Sequence, residues 1–404
     1  MTVDDRKQIL EKVDVIVRQK YFDPKFNGHD WRSLVDKHRD AILTANDQVA
    51  FEQQVNSLLA ELGTSHTSFF HKGTPVPSRN SINATFRSLQ TADGPRWVFQ
   101  DVQPGGPADL AGVRPGDSLI SVGGQDCIPP KKPVFRMDAA IPVAVVHQNG
   151  QPKHLSLQLR TSEPKYSDCP YSEPKSVVAK TIEPGIGYLK VSMFPGIIGV
   201  DFAKDVDQAF GELRKCERLL IDLRGNPGGG IGALRLMSYL TPERIPVGYS
   251  LTRERAERGY RREDLPRFTG IPTYKWQLPL VASRFVGRDK SIVVVTEGKG
   301  GQNFHGRVVI LVNEHTAGSA EMTAAFAREN GLAKVVGTRT AGRLLGGKGF
   351  KIDDYRLMIP IGAYVSWKGT RFEGNGISPD VEIEWSPNNP EQQLTRAVES
   401  VRAM

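Results

Sequence analysis

A chain of 404 residues with 39% hydrophobic and 24% charged residues is typical of a folded protein of two or three domains, and no stretch is apolar enough to cross a membrane. The net charge of +8 comes from basic residues spread along the chain, and the dense run from Arg253 to Arg267 alternates in sign, which favours a solvated face over a nucleic-acid patch. Three scattered cysteines and dispersed histidines predict neither a disulfide framework nor a metal site, and they favour a reducing compartment. The first residues lack the apolar segment of a secretory signal, so we expect a cytoplasmic protein, or an exported one whose leader precedes this numbering.

The N-terminal region is predicted to be helical over residues 1–72. Apolar side chains recur at helical spacing in two places, at Ile9, Val13 and Val17 and again at Val55 and Leu62. A Pro- and Ser-rich break at residues 74–78 follows. We therefore expect a first domain at residues 1–75.

Residues 80–162 consist of short apolar runs separated by Gly and Pro, which predicts a small β-rich domain. Within it, residues 103–124 read QPGGPADLAGVRPGDSLISVGG, so Pro107 can open a short helix that closes at Gly112 before a strand. This segment resembles the helix–turn–strand signature of PDZ domains of the bacterial-protease kind. The resemblance implies that a peptide adds as a strand along residues 82–88, beside Ile82 and Phe86. The alternative is a small β-domain that only separates its two neighbours.

The rest of the chain alternates strands and helices after a proline-rich segment, residues 164–174, that is predicted to be a linker. Strands are predicted at residues 186–191, 218–223, 307–312, 334–337 and 357–365, and helices at residues 201–214 and 320–329. Buried strands rich in Val, Ile and Leu, each followed by a helix, indicate an α/β layered core. We place this core at residues 176–404.

A glycine-rich turn follows one of the predicted strands, in the segment LLIDLRGNPGGG at residues 219–230. The turn exposes several backbone N–H groups after Asp222, and it lacks the Lys-Ser/Thr pair of a nucleotide-binding loop. An oxyanion hole is therefore the better interpretation. The DLRGNPGG string closely resembles the corresponding segment of the C-terminal-processing peptidases, which implies that Gly228 and Gly229 are the donors.

A turn of small residues joins a strand to a helix in VVILVNEHTAGSAEMTAAFAREN, residues 308–330. A nucleophile at such a turn is exposed, and the helix N-terminus stabilises the oxyanion. The segment strongly resembles the serine turn of the same family, in which the serine stands three residues before the position of Glu321. Here that residue is Gly318, and the serine is Ser319. Either the turn is rearranged so that Ser319 is the nucleophile, with the Ala320 N–H as an oxyanion donor, or the nucleophile at position 318 has been lost, or the register is different.

A histidine turn and a closing glutamate complete the pattern. His66 lies in ELGTSHTSFF (residues 61–70), which resembles the tricorn-protease motif and implies a general base, with Ser65 in a hydrogen-bonded tetrad. The segment GTRFEGNGISPDV (residues 369–381) resembles the family's closing EGxGIxPD motif, in which Glu373 completes the tetrad. The alternatives are a structural histidine and a glutamate that only caps the turn.

The lysine-dependent branch of the family has a general-base lysine after the glycine in the segment that matches VVGTRTAGRLLGGKGF, residues 335–350. Arg343 stands at that position, and a guanidinium keeps its proton and cannot serve as a base. This favours the histidine-dependent branch, with Lys348 as a weaker candidate base.

Taken in order, these motifs resemble those of S41-type serine peptidases of the C-terminal-processing and tricorn kind. The resemblance implies a crotonase-like α/β core, an acyl-enzyme mechanism, a peptide or unfolded protein as substrate, and neither a metal nor an organic cofactor. Two rivals differ in function: an inactive peptide-binding protein of the same fold, and an acyl-CoA enzyme that shares the core. Neither nucleic acid nor a membrane span is expected, and a homo-oligomer is left open.

Overall fold

The computed structural model describes residues 1–73, 82–135, 139–147, 150–159, 174–283 and 291–404. The Pro- and Ser-rich break, most of the proline-rich linker and Cys169 lie outside the described residues. Within these ranges, no helix combines the length and the apolar character needed to cross a bilayer.

The N-terminal region contains three α-helices and one short strand among its described residues: α1 (Val3–Lys20), α2 (Trp31–Leu43), α3 (Gln48–Ala60) and β1 (Ser68–His71). Each helix begins at a side chain that accepts a hydrogen bond from the first turn, namely Thr2, Asp30 and Asp47. The prediction of helix through residue 72 is wrong at its end. Ser68–His71 pairs antiparallel with residues 355–358, because this pairing buries Phe69 in the core.

A small antiparallel sheet, defined here as the small sheet, follows. Its elements are β2 (Ala84–Thr91), β3 (Gly94–Val102), α4 (Pro107–Leu110), β4 (Ser118–Val122), β5 (Gln125–Asp126), β6 (Ala139–Val146) and β7 (Pro152–Leu159). The strand order is β2-β3-β4-β6-β7, with β5 paired to β4, so β2 is an edge strand. The short helix predicted at Pro107 is confirmed, and Gly112 ends it with φ +88°.

The remaining chain forms a mixed α/β core. Its elements are β8 (Val177–Glu183), β9 (Ile186–Val191), α5 (Val200–Glu212), β10 (Arg218–Asp222), α6 (Ala233–Tyr239), β11 (Pro246–Thr252), α7 (Arg253–Arg258), β12 (Arg267–Phe268), α8 (Leu278–Ser283), β13 (Ile292–Val295), β14 (Arg307–Val312), α9 (Ser319–Glu329), β15 (Lys334–Gly337), β16 (Leu345–Ile352), β17 (Tyr355–Ser366), β18 (Val381–Glu382) and α10 (Gln392–Arg402). The predicted bounds of β9, β14 and β15 are confirmed, and α9 begins one residue earlier than predicted.

Two sheets organise this core. One has the order β18-β15-β14-β10-β9-β8, and its strands from β9 to β18 run parallel. Ile221 and Ile310 face α5, α6 and α9, whereas Leu220 and Val309 face α10, so both faces are covered. Covered faces explain why these strands are almost continuously apolar. The other sheet has the order β1-β17-β11-β13-β12, with β16 paired to β17, and the N-terminal helices pack against β16 and β17.

The carboxyl ends of β10, β14 and β15 meet at one edge of the parallel sheet, where the loops after them lie side by side. The small sheet contacts this same edge. Asn313 donates a hydrogen bond of 2.9 Å to Asp101, and Gln103 donates one of 2.8 Å to Ser192. The glycine-rich turn after β10, the serine turn after β14 and the segment after β15 therefore lie side by side at this edge.

Candidate active site

The glycine-rich turn after β10 is anchored by a buried carboxylate. Asp222 accepts hydrogen bonds from Tyr188 Oη at 2.9 Å and Lys190 Nζ at 3.2 Å, and Arg224 forms an ion pair with it at 2.8 Å. Burial alone would raise the pKa of Asp222, but Arg224 and Lys190 outweigh it and hold the pKa well below its usual range. The turn therefore begins at a fixed carboxylate that remains charged.

The backbone amides of this turn differ in what they contact. Gly228 N donates to Asn226 Oδ1 at 2.8 Å, and Gly230 N donates to the Phe194 carbonyl at 2.8 Å. Among the described residues, the Gly229 N–H between them has no acceptor. A Cβ on Gly229 would lie 2.0 Å from the Phe194 carbonyl oxygen, so only glycine fits there. Of the two predicted oxyanion donors, Gly229 is available and Gly228 is engaged.

The serine turn lies directly against these glycines. Gly318 has φ +57° and ψ −125° and stands between β14 and α9, and Ser319 is the first residue of α9. Ser319 Oγ lies 2.9 Å from the Gly229 carbonyl oxygen and 3.1 Å from that of Gly230, so its one proton is shared between them. Ala320 N donates to Ala317 O at 3.1 Å, whereas the Ser319 N–H has no acceptor within the described ranges. The free amide at this turn is therefore that of Ser319 rather than the predicted Ala320.

Glu321 is a central residue of the site whose role the sequence reasoning missed. Its carboxylate accepts four hydrogen bonds: from Gly318 N at 3.1 Å, Gly342 N at 2.7 Å, Arg343 N at 2.9 Å and Thr340 Oγ1 at 2.6 Å. Burial raises its pKa despite these bonds. An acidic residue within a helix of small and apolar residues was the available signal, because a buried carboxylate needs partners.

The histidine turn packs against the segment after β15. His66 Nδ1 hydrogen-bonds to Ser65 Oγ at 2.8 Å. Glu373 accepts from the Ser65 backbone amide at 2.6 Å through one oxygen and from the Leu344 amide at 2.8 Å through the other. The His66 ring packs on Gly347, where an added Cβ would lie 2.9 Å from His66 Cδ2. Glu373 thus contacts the backbone of the turn, and Ser65 Oγ contacts the imidazole.

Partial desolvation, a carboxylate and a guanidinium set the pKa of His66. The residue is exposed, but partial desolvation of its ring lowers the pKa below the usual 6.5, Glu373 opposes this by favouring the imidazolium, and Arg343 lowers the pKa further. Within the part of the chain that the structure describes, His66 Nε2 has no hydrogen-bond partner. The imidazole is therefore neutral near pH 7, and one ring nitrogen is available.

The segment after β15 joins the two turns. The consecutive amides of Arg343 and Leu344 donate to Glu321 and Glu373 respectively. The structure thus brings the serine turn, the glycine turn and the His66–Ser65–Glu373 group together around residues 340–347. Ser319 and His66, both described, do not hydrogen-bond to each other. Lys348 points elsewhere, since its Nζ lies over the Phe350 ring at 5.3 Å from the centroid.

Comparison with known proteins identifies the family. The sequence profile of peptidase family S41 matches residues 185–383, and that of the PDZ domain matches residues 98–137. The chain belongs to peptidase family S41. It is a serine-type hydrolase of the C-terminal-processing kind, and the match to the PDZ domain lies within the small sheet.

Relatives of this S41 peptidase extend over most of its length. Carboxyl-terminal-processing peptidase 3 of Arabidopsis thaliana is 22% identical, over 91% of this chain and 67% of the relative. Tricorn protease homolog 1 of Streptomyces coelicolor is 25% identical, over 95% of this chain and 33% of that longer relative. The solved photosystem II D1 C-terminal processing protease shares the fold, with a TM-score of 0.58, 18% identity and 96% of each chain covered.

The small sheet of this S41 peptidase presents β2 at its edge, beside the ends of β14, β15 and β18. A cavity of about 430 Å³ lies between Phe86–Ser88 of β2 and the ends of β14, β15 and β18. Arg87 crosses it, 3.7 Å from Glu314 and 3.5 Å from Glu384. Phe86 is partly buried against Phe99, with ring centroids 4.6 Å apart.

The other residue predicted to contact a peptide, Ile82, occupies a different place. The strand begins at Ala84, two residues later than predicted, and Ile82 precedes it. Its side chain is fully buried in the core of the PDZ domain. Ile82 therefore does not lie on the surface that a peptide could reach.

Proposed function

We propose that this S41 peptidase cleaves peptides or protein C-termini through an acyl-enzyme formed on Ser319, with His66 as the general base. The observation that carries the proposal is the hydrogen-bonded group of Glu373, Ser65 and His66, which is linked to the serine turn because the adjacent amides of Leu344 and Arg343 donate to Glu373 and to Glu321. A base held by a third group, next to a hydroxyl on an exposed turn, is the arrangement that serine acyl transfer requires.

The proposed reaction begins with rotation of the Ser319 side chain away from the carbonyls of Gly229 and Gly230. Ser319 Oγ then forms a bond to the scissile carbonyl carbon while His66 Nε2 takes its proton. The C–N bond breaks as the imidazolium returns this proton to the leaving amine. Water, activated by His66, hydrolyses the acyl-enzyme and restores the serine.

The oxyanion formed in this reaction needs N–H donors, and two amides are suited to the role. The N–H groups of Gly229 and Ser319 have no acceptor within the described residues, and both lie at the junction of the glycine and serine turns. The dipole of α9 adds positive potential there. We infer that these two amides hold the oxyanion, with Gly228 and Ala320 supporting the shape of the turns.

A second candidate function, an inactive peptide-binding protein, is favoured by Gly318. Its backbone, with positive φ and ψ near −125°, matches a sharp strand-to-helix turn on which a nucleophile is presented. A Cβ at this position would meet nothing nearer than Gly228 Cα at 3.4 Å. In this alternative, position 318 is the vacated nucleophile site, and Ser319 only supplies a backbone N–H.

Labelling with a fluorophosphonate, followed by peptide mapping of the adduct, tests the proposal. We expect an adduct on Ser319, lost in His66→Ala and retained in Lys348→Ala, because the base and not the exposed lysine activates the hydroxyl. Absence of an adduct on the wild-type chain, together with an adduct on residue 318 of Gly318→Ser, would instead establish the inactive protein.

We further propose the domain organisation that the sequence predicts, with an N-terminal region at residues 1–75, a peptide-binding PDZ domain at residues 80–162 and a crotonase-like core at residues 176–404. The layered arrangement of helices on both faces of the parallel sheet supports the crotonase-like core. The free edge of β2 and the adjoining cavity support peptide addition beside Phe86.

A further inference from the structure

The small sheet contributes one carboxylate to the junction of the glycine and serine turns. Asp101, near the end of β3, lies against Gly225, where an added Cβ would be 3.1 Å from Asp101 Oδ2. Its Oδ2 accepts hydrogen bonds from Asn313 Nδ2 at 2.9 Å and from Thr85 Oγ1 at 2.6 Å. Asp101 N in turn donates to Thr85 Oγ1 at 3.1 Å. The carboxylate is therefore fixed by its own sheet where it contacts the core.

Asn313 connects this carboxylate to both turns. It follows β14 directly and is fully buried. Its Oδ1 accepts a hydrogen bond from Gly225 N at 3.0 Å, at the start of the glycine turn, and another from His315 N at 3.1 Å, four residues before Ser319. One amide oxygen thus joins the backbones of the two turns.

Asp101 determines the orientation of the Asn313 amide. Because Oδ1 accepts from two N–H groups, Nδ2 is a buried donor that requires an acceptor, and a carboxylate oxygen supplies one. Rotation of the amide by 180° would place Oδ1 against the carboxylate and the NH₂ group against backbone N–H donors, so contacts on both sides would be repulsive. Among the described residues, Nδ2 has no acceptor besides Asp101. Removal of this carboxylate would therefore leave the amide without its orienting partner.

The two free amides of the turns depend on where the glycine turn begins. Asn226, the residue after Gly225, accepts from Gly228 N at 2.8 Å through its side chain and from Ala317 N at 2.8 Å through its carbonyl. A shift of Gly225 is therefore passed on to both turns. Since the free amides lie one residue after Gly228 and two residues after Ala317, their separation depends on these bonds.

We propose that Asp101 is a positioning residue for the oxyanion hole: by orienting Asn313, it sets the glycine turn relative to the serine turn without touching the substrate. The proposal rests on the oxyanion role proposed above for the amides of Gly229 and Ser319. It gives the small sheet a part in the chemical step, in addition to any peptide that its edge binds. Loss of the carboxylate should lower kcat and leave KM nearly unchanged, because the oxyanion forms only in the chemical step.

Hydrogen–deuterium exchange, followed by mass spectrometry, tests the structural link without any assay of turnover. In Asp101→Ala, the amides of residues 223–231 should exchange about fivefold faster than in the wild type, since the hydrogen bond at Gly225 is weakened. Asp101→Asn keeps an acceptor oxygen for Asn313 and should exchange like the wild type. Asp126→Ala, which removes an exposed carboxylate of the same sheet, is the matched control. Unchanged exchange in Asp101→Ala would overturn the proposal.

A milder variant keeps the test decisive if Asp101→Ala does not fold. Thr85→Val preserves the shape of the side chain and removes the hydroxyl that holds the carboxylate. It should speed exchange at residues 223–231 by a smaller factor than Asp101→Ala. Exchange at the wild-type rate in Thr85→Val, with Asp101→Ala unfolded, would overturn the proposal.

Steady-state kinetics on a C-terminal peptide substrate test the consequence for catalysis. We expect kcat of Asp101→Ala to fall about 10- to 100-fold with KM within about twofold, and Asp101→Asn to regain most of the loss. In an Asn313→Ala background, Asp101→Ala should cost little more, because the carboxylate acts through the amide. A full additional loss, or an effect confined to KM, would overturn the positioning role. A wild-type chain without turnover would instead refute the peptidase function, and exchange at residues 223–231 would still decide the link to Asp101.

Discussion

Glu373 accepts a hydrogen bond of 2.6 Å from the backbone amide of Ser65, a residue 308 positions away in the chain. This contact ties the turn that carries His66, which comes from the N-terminal helical region, to the closing motif of the core. The second oxygen of Glu373 holds the Leu344 amide, next to the segment that contacts the serine turn. One carboxylate thereby fixes the proposed base relative to the rest of the site.

The pH profile of the peptidase should follow His66. A histidine acts as a general base only in its neutral form, so activity should fall as the pH drops through the pKa of His66, which partial desolvation of the ring lowers below 6.5. We expect kcat/KM to be on its plateau at pH 7, with the midpoint of the acidic limb below 6.5. A midpoint above pH 7 would be incompatible with this environment.

Substitutions of the two charges near His66 should move this midpoint in opposite directions. Glu373→Gln removes the carboxylate that favours the imidazolium, so the midpoint should fall, and kcat/KM on the plateau should drop about tenfold or more because an acceptor is lost. Arg343→Gln removes the nearby positive charge, so the midpoint should rise. Shifts of the same sign in the kcat/KM profiles of the two variants would contradict the assignment of His66 as the titrating base. As a control, Lys348→Gln should leave the midpoint unchanged.

Gly347→Ala should displace the proposed base without unfolding the protein. The new Cβ would lie 2.9 Å from His66 Cδ2, closer than carbon atoms approach, so the ring must move. We expect kcat/KM to fall about 10- to 100-fold, since small misplacements of catalytic groups have such effects. Gly346→Ala is the matched control, because its Cβ would meet only Gly362 O at 3.7 Å. Equal activities of the two variants would exclude a role for the His66 ring position.

Glu321→Gln should destabilise the fold as well as the site. An amide offers one acceptor oxygen where the carboxylate offers two, and its NH₂ group would face N–H donors. We expect the free energy of unfolding, measured by urea denaturation, to fall by about 1–3 kcal/mol. Glu399→Gln, an exposed position on α10, should be neutral. If Glu321→Gln were equally neutral, the four hydrogen bonds would not hold the serine turn.

The sequence predicted the parts of the core where burial alone determines structure. The strands that begin at Ile186, Arg307 and Lys334 have the predicted bounds, because both sheet faces are covered and the apolar run ends where the strand ends. β1 was missed, since its four residues become a strand only by pairing with β17, nearly 290 positions later. Residues 61–67 and 369–376 could be predicted as partners only through the family resemblance.

The sequence could not predict which backbone amides of the turns are free. Gly228 and Ala320 were expected to hold the oxyanion, but Asn226 Oδ1 and Ala317 O engage them. Whether a given amide is free depends on a few backbone angles and on contacts between distant loops. The role of Glu321 was equally hidden, because its partners at residues 340–343 are brought to it only by the packing of β15 beside β14.

The turnover of a C-terminal peptide substrate by Ser319→Ala, compared with Gly318→Ser under the same conditions, tests the proposed nucleophile most directly. If Ser319 is the nucleophile, Ser319→Ala should lose about 10³-fold or more in kcat, and Gly318→Ser should bring no gain over the wild type. Wild-type turnover that survives Ser319→Ala, or a wild-type chain without turnover in which Gly318→Ser creates it, would contradict the proposal and place the nucleophile at position 318.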